Sequence, residues 1–408
     1  MMAVSKWVAD NFYLLLSIAS LIACRFPGVP FIPLIIILVA LYAPVLLSKK
    51  TCLNNPGSIR LFLIGGYIVL SLIMYLIKLY PIQLYLNGLY CYVFPVTFFF
   101  LALQYSDDEI EKFRKITFYG LILVYIIGMY LYFVEPQWYM AWKASKLEDL
   151  FGDRTENYLT GYRFFTSYFT HPYFVGYSAI WVVSYLCSKI RKADKFPILL
   201  FIMLLITIFA EFLTQQRASV VIVVAILFWH TFKETKNGNF RITYIVIFAV
   251  LLVSYYIIKY YDELELLLSR YMSILDGTVL NDGREEQWRS VYKNFNNFIL
   301  GEGFNSVGHD ALNYNMPVIA DGEFFKDFYE YGILGCLLLY SFFLKTISIA
   351  YRYRKIYEIE LPVVVGLIAI KYGANPFEMT NIIPLYWFSA GVIWRKYNKH
   401  SNNNLLIN

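Results

Sequence analysis

Residues 281–335 read NDGREEQWRSVYKNFNNFILGEGFNSVGHDALNYNMPVIADGEFFKDFYEYGILG and close the longest polar interruption in a chain that is otherwise a succession of apolar runs. Arg284, Arg289, His309, Asp321 and Glu323 lie in it, beside a glycine-rich turn from Gly301 to Gly308. Contrast on this scale decides the fold class. Of 408 residues 59% are hydrophobic and only 16% charged, with a mean hydropathy of +0.53. An ordinary soluble domain is about half apolar and about a quarter charged, so the composition predicts an integral membrane protein and the quoted stretch a loop outside the hydrocarbon.

Crossing that hydrocarbon takes roughly 17 to 25 apolar residues as helix. About twelve candidates follow one another, at 11–25, 29–47, 60–79, 84–104, 116–134, 168–187, 197–213, 219–232, 242–259, 324–349, 361–373 and 383–394. Basic clusters follow the even-numbered spans: Lys49 and Lys50; Lys112, Arg114 and Lys115; Lys189 to Lys195; Lys233 and Lys236; Arg352 to Lys355; Arg395 to Lys399. Positive charge collects on the cytoplasmic side, so both termini are expected there, with the odd-numbered loops outside. Two of those are long: residues 135–162, and residues 260–323 between the ninth and tenth spans, which hold eleven Asp and Glu against four Lys and Arg. The expected architecture is an all-α polytopic membrane protein, one integral domain over residues 1–408.

Several function classes fall away. The net charge of +6 is spread over loop clusters that encode topology, so no nucleic-acid partner is expected. The five cysteines have no paired spacing and the four histidines no ligand spacing, so neither disulfides nor a metal site is indicated. No phosphate-cradling loop, internal repeat or cleavable signal sequence is evident.

The arginines expected outside are the anomaly. Arg163 opens the sixth span, Arg217 sits in TQQRASV between the seventh and eighth, and Arg284 stands in GREEQW with Arg289 close by. Guanidinium groups bind phosphate oxygens bidentately and stay charged, so a converging set suits a diphosphate. Each arginine alone is as well explained by snorkelling or by a local ion pair, Arg284 with Glu285 and Glu286 above all. Asp321 and Glu323, where the loop re-enters the membrane, are placed to act as a general base or to cap a helix. His309 faces the same side.

Taken together these stretches resemble the O-antigen polymerase and O-antigen ligase superfamily of bacterial inner membranes, from Arg163 onward. The segment from Arg163 to Pro172, TQQRAS around Arg217, GREEQWRSVYKNFNNFILGEGF, and DGEFFKDFYEYGILG with its Gly-x-x-Gly at Gly332 and Gly335 carry the likeness. The resemblance implies a type C glycosyltransferase-like fold without metal or other cofactor. It implies undecaprenyl-pyrophosphate-linked oligosaccharide as donor and acceptor, a periplasmic site at the membrane lipid surface, and a chain-length regulator protein as a possible partner. The ligase branch carries a His-Asn-like pair eleven residues before the first glycine of Gly-x-x-Gly, where this chain has Asp321 and Gly322. That departure favours a polymerase, with Arg163, Arg217, Arg284 and Arg289 holding pyrophosphate and Asp321, or failing it Glu323 or His309, activating the acceptor hydroxyl. A ligase and a lipid-linked oligosaccharide flippase are the alternatives.

Overall fold

The structure is a computed structural model that describes residues 2–25, 54–151, 173–194, 197–236, 240–260, 272, 284–293, 295–319 and 321–405. All regular structure among them is helical. Six helices are long and apolar enough to cross a membrane: Pro56–Lys78, Ile82–Gln104, Asp107–Val134, Arg217–Thr235, Arg241–Lys259 and Glu323–Arg352. Phe12–Ile22, Ile198–Thr214 and Glu360–Ile370 are apolar but shorter. The six long helices coincide with six of the expected spans and fit a multi-pass membrane protein, and the three shorter ones fall within three further expected spans or overlap them. Of the other three, 29–47 lies outside the described residues. The described part of 168–187 lies in the helix Tyr173–Lys192, which is buried along most of its length, and 383–394 lies in Ile383–Leu405.

Two compact units emerge, one from Met1–Leu41 and Glu111–Gly277, the other from Tyr42–Ile110 and Thr278–Asn408. In the first, the Tyr173–Lys192 helix packs against Ile198–Leu213, Arg217–Thr235 and Arg241–Lys259. The Tyr125 and Ser178 hydroxyls lie 2.8 Å apart in this core. Lys189 pairs with Glu111 at 2.5 Å.

The second unit holds most of the quoted stretch. Asn55 starts the Pro56–Lys78 helix by accepting from the Gly57 N–H at 2.8 Å, and Pro56 occupies the first turn, where its missing N–H costs nothing. The Ile82–Gln104 span is uneven: Ile82–Gly88 passes through a π turn at Leu89–Val93 and a 3₁₀ turn at Phe94–Val96 before Thr97–Gln104. Pro95 is the reason, since it can neither donate to the preceding turn nor avoid its carbonyl. At one end of the unit Arg395 pairs with Asp107 at 2.6 Å and Asn55 reaches the Trp394 carbonyl at 3.4 Å. The opposite end gathers Lys78, the Gly301 turn, Glu323 and Lys371 through contacts among them and their neighbours.

Glu323–Arg352 is a broken helix. Gly332 sits at φ 60° and ψ −169°, a backbone state that costs any side chain dearly. Four of the groups freed by the break are taken up by the Gly301 turn. Glu302 N donates to Tyr329 O at 2.9 Å and Gly303 N to Glu330 O at 3.2 Å, while Ile333 N and Leu334 N donate to Phe298 O and Ile299 O at 2.9 and 3.2 Å. The Tyr67 hydroxyl covers the Tyr331 carbonyl at 2.7 Å. A Cβ on Gly301 would stand 2.2 Å from Glu330 O, and one on Gly332 2.5 Å from Gly301 N. Unpaired backbone at this depth is costly, so the two glycine motifs are one device.

Gly301→Ala and Gly332→Ala should each lower stability by at least about 2 kcal/mol, through strain and lost pairing. Because both break the same contact, the double variant should cost clearly less than the sum. Thermal unfolding of the purified variants checks this, and strict additivity would show the two turns to be independent.

Candidate functional site

The half-helix from Glu323 to Tyr331 turns Glu323, Lys326, Asp327 and Glu330 inward, and all four are buried. Spacings of three and four residues put them on one face. Two linked groups result. In one, Lys371 Nζ lies 2.8 Å from Asp327 Oδ2 and 3.4 Å from Glu323 Oε1. The Tyr340 hydroxyl donates to Asp327 at 2.8 Å, and Phe377 N donates to Glu323 Oε2 at 2.9 Å. In the other, Lys326 Nζ donates to Glu378, to the Tyr92 hydroxyl at 2.6 Å and to Asn305 Oδ1 at 3.3 Å, with Glu330 at 3.8 Å.

The second group reaches the surface at His309. Its Nδ1 lies 2.6 Å from Glu378 Oε2, and its side chain is 54% exposed where that of Glu378 is 15% exposed. Gly308 makes the approach possible: a Cβ there would stand 2.5 Å from Asn305 Oδ1 and 3.0 Å from Lys326 Nζ. The segment is pinned from behind by a small core of Val291, Phe295, Val307, Ile319 and Tyr329. Ile319 N donates to Val307 O at 2.9 Å across the loop.

The electrostatics of the dyad follow. The hydrogen bond to Glu378 raises the His309 pKa above its ordinary value, with burial opposing and the charges of Glu378 and Asp321 assisting. Burial pushes Glu378 up, but the Lys326 charge and the His309 hydrogen bond outweigh it and hold the carboxyl at about 2. Glu378 is therefore ionised across the working range. With Nδ1–H donated to that carboxylate, Nε2 of neutral His309 is left as the acceptor of a substrate proton.

The residues singled out from the sequence are distributed unevenly. Asp321 is partly buried, and its carbonyl accepts from Trp288 Nε1 at 2.7 Å. It does not cap the helix, whose preceding residue is Gly322 in a left-handed conformation. Glu323 is fully buried in its pair with Lys371. Arg289 is exposed and borders an open, mainly aromatic recess with Trp288, Tyr292, Phe324 and Phe325. Arg284 begins the helix Arg284–Tyr292. Arg217 begins Arg217–Thr235 and belongs to the first unit. Arg163 lies outside the described residues.

Sequence reasoning missed Lys326, Asp327, Glu330 and Glu378. A signal existed for the first three: charges at 323, 326, 327 and 330 form a helical stripe inside an apolar span, where ionisable residues are rare and functional by default. Glu378 in NPFEM carries no local signal. Among the described residues no group of three or more His, Cys, Asp or Glu side chains is placed to hold a metal ion. No protein-family model, curated protein or solved structure matches the chain.

Replacing Glu378 with Gln removes the partner that raises His309. Because the native pKa is raised, the charged pair stabilises the fold at low pH and its contribution fades as pH rises through that value. In Glu378→Gln the onset of diethylpyrocarbonate modification at His309, read by mass spectrometry, should move to lower pH. An unchanged onset would show that the pair does not govern the imidazole.

Proposed function

We propose that this chain is a membrane glycosyltransferase of the O-antigen polymerase type, moving a polyprenyl-pyrophosphate-linked glycan onto the end of a lipid-linked repeat unit at the periplasmic face. The observation that carries the reading is an exposed imidazole backed by a buried carboxylate and ammonium, His309–Glu378–Lys326. Such an arrangement suits a general base. His309 Nε2 takes the proton of the acceptor hydroxyl as its oxygen bonds to the anomeric carbon, and the bond to the leaving pyrophosphate breaks with its electron pair. Asp321 adds negative charge beside the imidazolium that forms. Arg284 and Arg289, which belong to the same unit as His309, are the arginines we assign to the leaving diphosphate, whose developing charge they would neutralise. His309, the last named of the three base candidates, thus takes the leading role, because Glu323 has no exposed surface.

A second reading draws on the same unit. The helix broken at Gly332 and the buried Lys371–Asp327 pair are features of transport proteins, so a flippase for lipid-linked repeat units is its rival. A ligase would use His309 as well. Products in a deletion strain separate them: single repeats still attached to the core indicate a polymerase, unattached polymer a ligase, and repeat units trapped inside a flippase.

Purified protein given a defined lipid-linked repeat unit, without metal or nucleotide, should form a ladder of products. His309→Ala should slow it by about 10²-fold or more, and Arg284→Ala should abolish long products while leaving the protein inserted. Full-length polymer from both variants would defeat the assignment.

A further inference from the structure

Next to the ionic cluster the second unit encloses a cavity of about 280 Å³, mainly apolar, with Phe62, Gly65 and Phe100 in its wall and Asp327, Lys371 and Trp387 on its polar side. Two details single it out from a packing defect. A Cβ on Gly65 would meet nothing within 4 Å, so packing does not require glycine there, and what the glycine provides is room. Trp387 is only 4% exposed, yet its indole N–H has no hydrogen-bond partner among the described residues. A buried donor is normally paired.

We propose that this cavity holds one acyl chain of a zwitterionic bilayer phospholipid, of the phosphatidylethanolamine kind. The proposal does not depend on the glycosyltransferase reading. Access comes from the bilayer side, since Phe62 and Val93, which line the cavity, are 51% and 41% exposed on the apolar surface of candidate spans. Size sets the occupant's length: the volume is nearly twice that of the apolar cavity of about 150 Å³ that takes up benzene, enough for roughly a dozen carbons. That takes about two thirds of an oleoyl chain and only a small part of a long isoprenoid. Charge sets the headgroup. Of the charged groups in that cluster only Asp327 and Lys371 line the cavity, and they pair with each other at 2.8 Å, so the lining offers no spare cation to an anionic headgroup. An ester oxygen supplies the acceptor that Trp387 lacks.

Gly65 and its neighbour give the test. A Cβ on Gly66 also meets open space, but Gly66 does not line the cavity, so both substitutions gain the same helix propensity and only one fills the void. Delipidated full-length protein in detergent is titrated with dioleoyl phosphatidylethanolamine, dioleoyl phosphatidylglycerol or farnesyl phosphate, with bound lipid counted by native mass spectrometry. One phosphatidylethanolamine should bind about tenfold more tightly than phosphatidylglycerol. Gly65→Phe should weaken that binding about tenfold and Gly66→Phe should leave it unchanged. Should Gly65→Phe fail to fold, Gly65→Leu should give a smaller loss in the same direction. Equal binding by wild type and the Gly65 variants overturns the proposal. So does tighter binding of phosphatidylglycerol, or of farnesyl phosphate, which would make the cavity an anionic-lipid or isoprenoid site.

Discussion

The close contact of Gly301 with the helix break at Gly332 is the constraint on which the second unit depends. A break in a span leaves carbonyls and N–H groups that lipid cannot satisfy, each costing several kcal/mol. Here the Gly301 turn supplies both donors and acceptors, and Tyr67 covers one carbonyl more. The approach is so close that neither position accepts a side chain. The break then frees the half-helix Glu323 to Tyr331 to set its own direction, which brings four ionisable residues inward while the remainder of the span stays apolar.

That inward face carries its own cost. Moving an ion out of water costs several kcal/mol even after relaxation, and removing one partner of a buried pair costs about 3–5 kcal/mol. The cluster persists because nearly every charge is met twice: Lys371 by Asp327 and Glu323, Lys326 by Glu378, Tyr92 and Asn305. Glu302 repeats the pattern outside it, taking the Asn296 and Asn297 N–H groups at 2.7 and 2.9 Å and pairing with Lys78. Satisfied polar networks rigidify what they connect. The loop bearing His309 is fixed by this network from below and by the Val291–Tyr329 core from behind.

Hydrophobic run length located the six helices that are long and apolar enough to cross a membrane, because the hydrocarbon thickness imposes one length on every crossing helix. It was less informative where helices are covered by protein. Glu360–Ile370 is only 11 residues long, about half a span, and is nearly all buried, so the thickness rule does not bind it. Gly301 and Gly332 stood out as separate motifs, but their pairing spans some thirty positions and leaves no local trace. For the site, Asp321 and Glu323 were visible as acidic residues at a re-entry point. Their environments were not: one is partly exposed and the other is fully buried. The partner that distinguishes His309, Glu378, lies far along the chain and becomes its neighbour only in the fold.

These environments reorder the base candidates, among which sequence had put Asp321 first. Within the group of His309, Glu378, Lys326 and Glu330, only His309 combines substantial exposure with a fixed hydrogen-bond partner. A buried carboxylate such as Glu323 already has a backbone N–H and an ammonium to serve, and accepting a substrate proton would leave Lys371 with a weaker partner. His309 gains on protonation instead, because the ionised Glu378 it faces is held there by Lys326 whatever the imidazole does. Proton transfer at His309 therefore disturbs no pairing that the broken helix needs. This physical asymmetry is the ground for proposing His309 as the base, with the carboxylates of Glu323, Asp327 and Glu330 as its frame.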